Sequence, residues 1–116
     1  MDEEELKKRT RQFALRVIKL VGSLPRSIEG RAIGNQIINS GTSVGANYRS
    51  ACKGRSKAEF IAKLGIVEEE VDETAYWLEL IIEAGLLEKN LVAPLLKEAN
   101  EIVAIMASSR KSASRK

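Results

Sequence analysis

The sequence predicts an all-α protein, an antiparallel up-down four-helix bundle. Four segments carry apolar residues at the three- and four-residue steps of a helix, and no segment shows the alternation of a half-buried strand. Short stretches containing glycine, proline or serine separate the four segments. Because 116 residues is the size of one domain, the four amphipathic helices are expected to bury their apolar faces against one another.

The first helix is expected at about 4–23. Its apolar residues share one stripe, with two more beside it: Leu6, Phe13, Val17, Leu20 and Leu24, then Ile18 and Val21. The acidic run 3–5 suits a helix N-terminus, where free N–H groups favour negative charge. Gly22 marks the end of this helix, and Ser23 or Ser27 is available to cap the next one.

The second helix is expected at about 26–51, and its stripe has small residues in the middle. The stripe is Ile33, Ile37, Gly41, Val44, Tyr48 and Ala51. Gly34, Gly41 and Gly45 would each cost about 1 kcal/mol relative to alanine in a helix interior. The close approach of another backbone, within the bundle or from a second subunit, compensates for that cost. Gly54 is expected at the C-cap.

The third helix, at about 57–84, has the strongest periodicity. Its seam alternates steps of four and three: Phe60, Leu64, Val67, Val71, Thr74, Leu78 and Ile81. Only Thr74 breaks the apolar rule. Ser56 stands three residues before Glu59, which predicts a capping box at the helix start, and Gly85 follows at the expected stop.

The fourth helix is expected at about 88–108. Its apolar stripe is Leu91, Leu95, Ile102 and Ile105, flanked by further apolar residues. Asn90 is a candidate N-cap, and Pro94 alternatively lies in the first turn of a helix that starts later. We therefore divide the chain into a bundle domain, 1–108, and a basic flexible tail, 109–116.

Composition excludes several classes of function. The chain has no histidine and one cysteine, which removes histidine-based catalysis, the usual zinc ligand and an intrachain disulfide. The acidic run 68–73 is interpreted as a solvated or intersubunit face, since a di-iron bundle needs histidine ligands. Cys52 is expected to be a small buried residue. We expect a non-enzymatic protein without cofactor or metal.

No window approaches the roughly 18 to 20 apolar residues of a membrane span. The N-terminal sequence MDEEELKKR lacks the apolar core of a signal peptide. A cytoplasmic protein without a membrane partner is therefore expected.

Charge is unevenly distributed although the net charge is only +3. Residues 1–66 carry 13 Lys and Arg against 6 Asp and Glu, whereas residues 67–101 carry 2 against 10. Residues 102–116 carry four bases and no acid. Either these surfaces neutralise one another within the bundle or between subunits, or a basic face meets an anionic partner such as nucleic acid.

The candidate nucleic-acid-binding residues are Arg49, Lys53, Arg55 and Lys57, with Lys63 nearby. Arg49 and Lys53 are four residues apart and share a helix face, and the other two lie at the following turn. Such a cluster predicts salt-sensitive contacts with phosphates, independent of sequence. The alternative is an ordinary solvated turn, or bases that pair with the acids 68–73 of a neighbouring chain.

The candidate oligomer-interface residues are the small face Gly41, Gly45 and Ala46, together with Trp77. Trp77 falls on a stripe that contains Glu70 and Glu73. An aromatic side chain on a polar stripe often anchors an interface, and the alternative is that Trp77 covers the edge of the core.

A set of short motifs resembles one bacterial family. The residues concerned are Gln36, Ser43, Asn47, Gly54, the stretch 56-SKAEF-60 and the preceding 24-LPRS-27. The chain resembles the four-helix bundle proteins encoded within intervening sequences of 23S ribosomal RNA genes. It departs from them at Arg49, in a region where many members carry an acid.

The resemblance implies an up-down bundle that forms homopentameric rings. One relative, the accessory variability protein of diversity-generating retroelements, is such a ring and works with a reverse transcriptase and nucleic acid. The resemblance points to no reaction. We therefore expect a self-assembling protein that binds RNA, DNA or a ribonucleoprotein; the alternative is a structural or adaptor oligomer that binds another protein and has no nucleic-acid role.

Overall fold

Four helices form where the four apolar stripes predict them. The computed structural model describes residues 1–115, and its helices are α1 (Glu3–Val21), α2 (Ile28–Cys52), α3 (Lys57–Glu83) and α4 (Lys89–Ser114). Each helix packs on the two beside it, in the order α1, α2, α3, α4 and back to α1. Consecutive helices run in opposite directions, so the predicted up-down four-helix bundle is confirmed. The rod measures 47 × 20 × 19 Å.

Side-chain caps begin the first three helices. The side chains of Asp2, Ser27 and Ser56 each accept a hydrogen bond from the backbone N–H three residues later, at 2.8, 3.0 and 3.1 Å. The second half of the predicted capping box differs, because the Glu59 carboxylate accepts from the N–H of Arg55 at 3.4 Å. Local polar chemistry thus fixes where these helices start.

The ends of α2 and α3 differ in kind. Lys53 is the C-cap of α2, so the prediction of a cap at Gly54 is wrong by one residue. Position 54 has little room for a side chain, since a Cβ there would lie 3.0 Å from the carbonyl oxygen of Ala51. Gly85, by contrast, follows α3 with φ at 69°, the left-handed conformation that glycine adopts without strain.

The start of α4 departs from both sequence-based alternatives. Glu88 is the N-cap and makes no side-chain cap hydrogen bond, so Asn90 is not the cap. Pro94 lies inside the helix, beyond its first turn, and its side chain is exposed. Val92 and Leu95 in the following turn are buried, so apolar packing holds the start of α4 on the bundle.

The end of α4 lies at Ser114, and the predicted helix limit of 108 is wrong. Met106 is fully buried, and one turn later the guanidinium of Arg110 donates to Glu68 of α3 at 2.9 and 3.1 Å. Ser114 Oγ donates to the carbonyl oxygen of Arg110 at 2.7 Å. These contacts extend the helix through most of the segment assigned to a tail; Lys116 lies outside the described residues.

The core is one apolar cluster to which all four helices contribute. The predicted stripes of α2 and α3 are buried apart from their first residues, Ile33 and Phe60, which are half-buried. The stripe of α4 is rotated from the prediction: Leu91 is 61% exposed, and the buried residues are Val92, Leu95, Ala99, Ile102 and Met106. No helix within residues 1–115 combines the length and the apolarity needed to cross a membrane.

Candidate nucleic-acid interface

A basic groove of about 590 Å³ runs between α1 and α2. Its floor is low because the residues there are small: Ala14, Thr42, Gly45 and Ala46. Its rims carry long charged side chains, with Glu4, Lys7, Lys8 and Arg11 on α1 and Arg49 on α2. The combination of a small-residue floor and basic rims leaves an open surface for an anionic group.

Most of the rim bases have no acidic partner. Lys7 Nζ lies 3.2 Å from Glu3 and 3.5 Å from Glu4. The Glu3 hydrogen bond raises the pKa of Lys7 above its usual value. Within residues 1–115, no carboxylate lies within 4.0 Å of the charged groups of Lys8, Arg11 or Arg49.

The four predicted nucleic-acid-binding residues all lie at one end of the bundle. Arg49 lies in the last turn of α2, Lys53 is its C-cap, Arg55 is in the connection and Lys57 begins α3. All four are exposed and form no ion pair within the described part of the chain. We call these four residues the basic end.

Lys63 does not belong to the basic end. Its Nζ donates to Ser50 Oγ at 2.7 Å and lies 3.5 Å from Glu59. These contacts join α3 to α2 and occupy the ammonium group. Lys63 therefore has a structural role.

The small face is used mainly inside the chain. A Cβ on Gly41 would lie 2.8 Å from both methyl groups of Val17, so the backbone of α2 approaches α1 closely here. Gly41 is buried within the chain, against α1. Gly45 lies beside Thr10 of α1, where a Cβ on Gly45 would be 3.4 Å from Thr10 Oγ1. Ala46 is exposed in the groove.

Trp77 covers the edge of the core. It is half-buried against the apolar cluster, and its Nε1 donates to Glu73 at 3.3 Å. Its ring lies edge-to-face with that of Tyr76, the centroids 5.2 Å apart. Tyr76 itself is 53% exposed and was not singled out from the sequence. Its position three residues after Glu73, off the apolar seam of α3, was the sequence feature that could have indicated an exposed aromatic residue.

Cys52 is half-buried, where a buried residue was predicted. Burial raises the pKa of its thiol, so the thiolate is a minor form at neutral pH. Tyr48 beside it is buried, and burial together with a hydrogen bond to Cys52 raises the pKa of the phenol. This pair lacks the properties of an activated nucleophile.

The acidic run of α3 is divided between two environments. Glu68 pairs with Arg110 of α4 at 2.9 Å. Burial, and then the neighbouring Glu73 and Glu69, raise the pKa of Glu70. In residues 1–115, no group of three or more Asp, Glu or Cys side chains converges as a metal site would require.

The fold and the exposed charges define a small all-α bundle protein with a basic end. Residues 2–108 match the family described as 23S rRNA-intervening sequence protein, and the chain belongs to that family. This confirms the resemblance seen in the motifs between Gln36 and Phe60.

A solved structure shows the same fold. It is a protein with unknown function from the S23 ribosomal protein family of Bacteroides thetaiotaomicron, 34% identical in sequence, with a TM-score of 0.88. The match covers 96% of this chain and 99% of that chain. No curated protein matches this chain.

Proposed function

We propose that this protein is a non-enzymatic, self-assembling bundle that forms a homopentameric ring and binds nucleic acid through its basic end. The proposal of a pentamer rests on the rings that the family resemblance implies. Nucleic-acid binding rests on one observation, the four unpaired and exposed bases Arg49, Lys53, Arg55 and Lys57. We place the protein in the cytoplasm, a reducing compartment in which a lone thiol such as that of Cys52 persists.

The chemistry of the basic end favours contacts with phosphates over recognition of bases. Guanidinium and ammonium groups bind phosphate oxygens, and such contacts carry no sequence information. Tyr48, the aromatic residue nearest the cluster in sequence, is buried and offers no ring face for base stacking. Binding is therefore expected to be independent of sequence and strongly dependent on salt.

Acidic residues limit the size of this surface. The α1 acids Glu3 and Glu4 lie at the same end of the bundle, where they pair with Lys7. A single protomer thus presents only four free bases at the basic end, a small footprint. Assembly into a ring multiplies that footprint without any new contact.

A mobility-shift titration across salt concentrations tests the proposal. Each protomer of the ring that engages duplex DNA with four phosphate contacts is expected to contribute about −3.6 to the slope of log K against log salt. Changing Arg49→Gln and Lys53→Gln together removes two of these contacts and should reduce the slope by about 2 for each engaged protomer. The matched control is Lys89→Gln with Lys97→Gln on α4, which removes the same charge away from the basic end.

Two results would overturn the proposal. Absence of binding to RNA and DNA at low salt would remove the nucleic-acid role. A monomeric mass by light scattering, at concentrations well above those used for binding, would remove the ring. An equal loss of affinity in the control variant would show that net charge, and not the basic end, drives binding.

The second candidate is an adaptor oligomer that binds another protein and no nucleic acid. An apolar groove between α1 and α4 favours it, with a volume of about 320 Å³ and walls that include Leu87, Leu91 and Leu95. In this candidate the basic end pairs with acids of a neighbouring subunit. Arg55→Glu with Lys57→Glu would then break the oligomer, whereas in the first candidate it would reduce only nucleic-acid affinity.

A further inference from the structure

An exposed stripe on α1 combines two free bases with two large apolar residues. It consists of Lys8, Arg11, Leu15 and Ile18, at helical steps of three, four and three. Leu15 is 52% exposed and Ile18 is 46% exposed. We call this set the α1 stripe. Apolar residues beside unpaired charges on one helix face are typical of an interaction surface.

A second exposed stripe, on α3, has the opposite charge and the same spacing. It consists of Ile66, Glu69, Glu73 and Tyr76, and we call it the α3 stripe. Ile66 is 44% exposed and Tyr76 is 53% exposed. Together the two stripes hold four of the seven exposed large hydrophobic residues in the described chain: Met1, Leu15, Ile18, Ile28, Ile66, Tyr76 and Leu91.

The two stripes lie at the same level along the bundle. Thr10 of α1 lies beside Gly45 of α2. On α2, Ser50 bonds Lys63 and Ser40 bonds Thr74, so Gly45, midway between them, is level with about residue 68 of α3. Helices α1 and α3 run in the same direction, so a residue of α1 is level with the residue about 58 positions later on α3.

This offset aligns the stripes residue by residue. Arg11 is level with Glu69, and Ile18 is level with Tyr76. Rotation about an axis parallel to the bundle moves a neighbouring copy sideways with no shift along the axis, so residues at one level meet. Arg11 then faces the acid Glu69 and Ile18 faces the ring of Tyr76, whereas the same offset sets Lys8 opposite Ile66 and Leu15 opposite Glu73.

We propose that the α1 stripe of one copy packs in parallel against the α3 stripe of the next copy. The interface is head-to-tail, because each protomer offers a different face to each neighbour. This inference rests on the self-assembly proposed above and names the surfaces that carry it. It replaces the small face of α2, where Gly41 is occupied by Val17 of the same chain.

Lys8 and Arg11 lie on the side of α1 that lines the groove with α2, so the α1 stripe lies beside that groove.

A charge-swap series tests the pairing. Arg11→Glu and Glu69→Lys are each expected to abolish the assembled species, measured by sedimentation at a concentration where the unaltered chain is assembled. The double variant Arg11→Glu with Glu69→Lys restores the complementary charges in every interface and should restore the mass. Lys97→Glu on α4 is the matched control and should keep the unaltered mass, and circular dichroism confirms folding of each variant.

A cross-linking experiment tests the register. Ile18→Cys with Tyr76→Cys, in a Cys52→Ser background, should form intermolecular disulfides and give a ladder of oligomers on oxidation. Disulfides within one chain are excluded, because α1 and α3 lie diagonally across the bundle and these residues face outward. Either cysteine alone serves as the control and should give no band beyond a dimer.

The outcomes separate this inference from the proposed function. A monomeric unaltered chain would overturn self-assembly itself, and with it this interface. An unaltered chain that assembles, with both single charge variants retaining its mass, would overturn the α1–α3 interface while leaving the ring intact. Loss of mass in both single variants without recovery in the double variant would overturn the Arg11–Glu69 pairing.

Discussion

Thr74 Oγ1 of α3 and Ser40 Oγ of α2 lie 2.8 Å apart inside the apolar core. Thr74 is fully buried and Ser40 is 1% exposed. Thr74 Oγ1 also lies 2.8 Å from the carbonyl oxygen of Glu70, and Ser40 Oγ lies 3.4 Å from that of Ile37. Each hydroxyl therefore has a partner across the helix interface and a second one on its own helix.

Replacement of one member of this pair is expected to destabilise the bundle. Thr74→Val removes the cross-helix hydrogen bond and leaves the buried Ser40 hydroxyl with only its weak local acceptor, at a cost of about 1–3 kcal/mol. The double variant Thr74→Val with Ser40→Ala should lose less than the sum of the two single losses, because no hydroxyl is left unpaired. Urea denaturation of the four proteins measures this coupling, and strictly additive losses would contradict it.

Gly41 is expected to be intolerant of a side chain. Gly41→Ala places a methyl group 2.8 Å from both Val17 methyls in a closely packed interior, which should cost about 1–3 kcal/mol. Val17→Ala added to it should recover part of the loss. Gly65→Ala is the matched control: its Cβ would meet only Arg110 Cδ, at 3.8 Å, so the variant should gain up to about 1 kcal/mol. Thermal unfolding distinguishes the two directions.

Arg9 holds α1 on α4. Its guanidinium donates to both carboxylate oxygens of Glu98 at 2.7 Å and to Glu101 at 2.9 Å. Because the Arg9 side chain retains 22% exposure, Arg9→Gln should cost only about 1 kcal/mol and should increase amide exchange in α1. Lys7→Gln, whose ion pairs are more exposed, is the control and should leave exchange unchanged.

Glu70 makes stability depend on pH. Burial, then Glu73 and Glu69, raise its pKa in the folded chain, so folding disfavours the ionised carboxylate. Glu70 does not lower the free energy of unfolding below the ordinary glutamate pKa of about 4.3, where it is protonated in both states. The free energy of unfolding falls as the pH rises from there through the pKa that Glu70 has in the folded chain. Glu70→Gln should therefore raise the Tm at pH 7 and have little effect near the ordinary pKa or below it. An unchanged Tm at pH 7 would contradict this, and the exposed Glu83→Gln controls for loss of one charge.

Periodicity predicted the helices because each bundle helix must bury one continuous stripe. The seven-residue seam of α3 and the cap at Ser56 depend only on steps along one helix and on local hydrogen bonds, and the structure confirms both. The error at the C-terminus of α4 has a tertiary cause. The sequence between 109 and 114 is polar and small, and the contact between Arg110 and Glu68 of another helix joins it to the bundle.

The candidate site was predictable in part. The positions of the basic residues in the sequence indicated Arg49, Lys53, Arg55 and Lys57, and all four are exposed and unpaired in the described chain. Lys63 belongs to the same run of charge but is bound to Ser50 and Glu59. Whether a base is free depends on acids and hydroxyls brought to it by other turns and helices, which spacing along one segment does not specify.

The helix count, most helix starts and the apolar seams of α2 and α3 were predictable from the sequence, because they depend on local hydrogen bonds and on periodicity within single segments. The family was indicated by the resemblance of short motifs. The packing of the helices determines which glycine leaves space for a neighbouring helix, which bases remain unpaired and which apolar residues stay exposed. It also set the level of α1 against α3, since that register is carried through α2 by contacts between residues far apart in the chain.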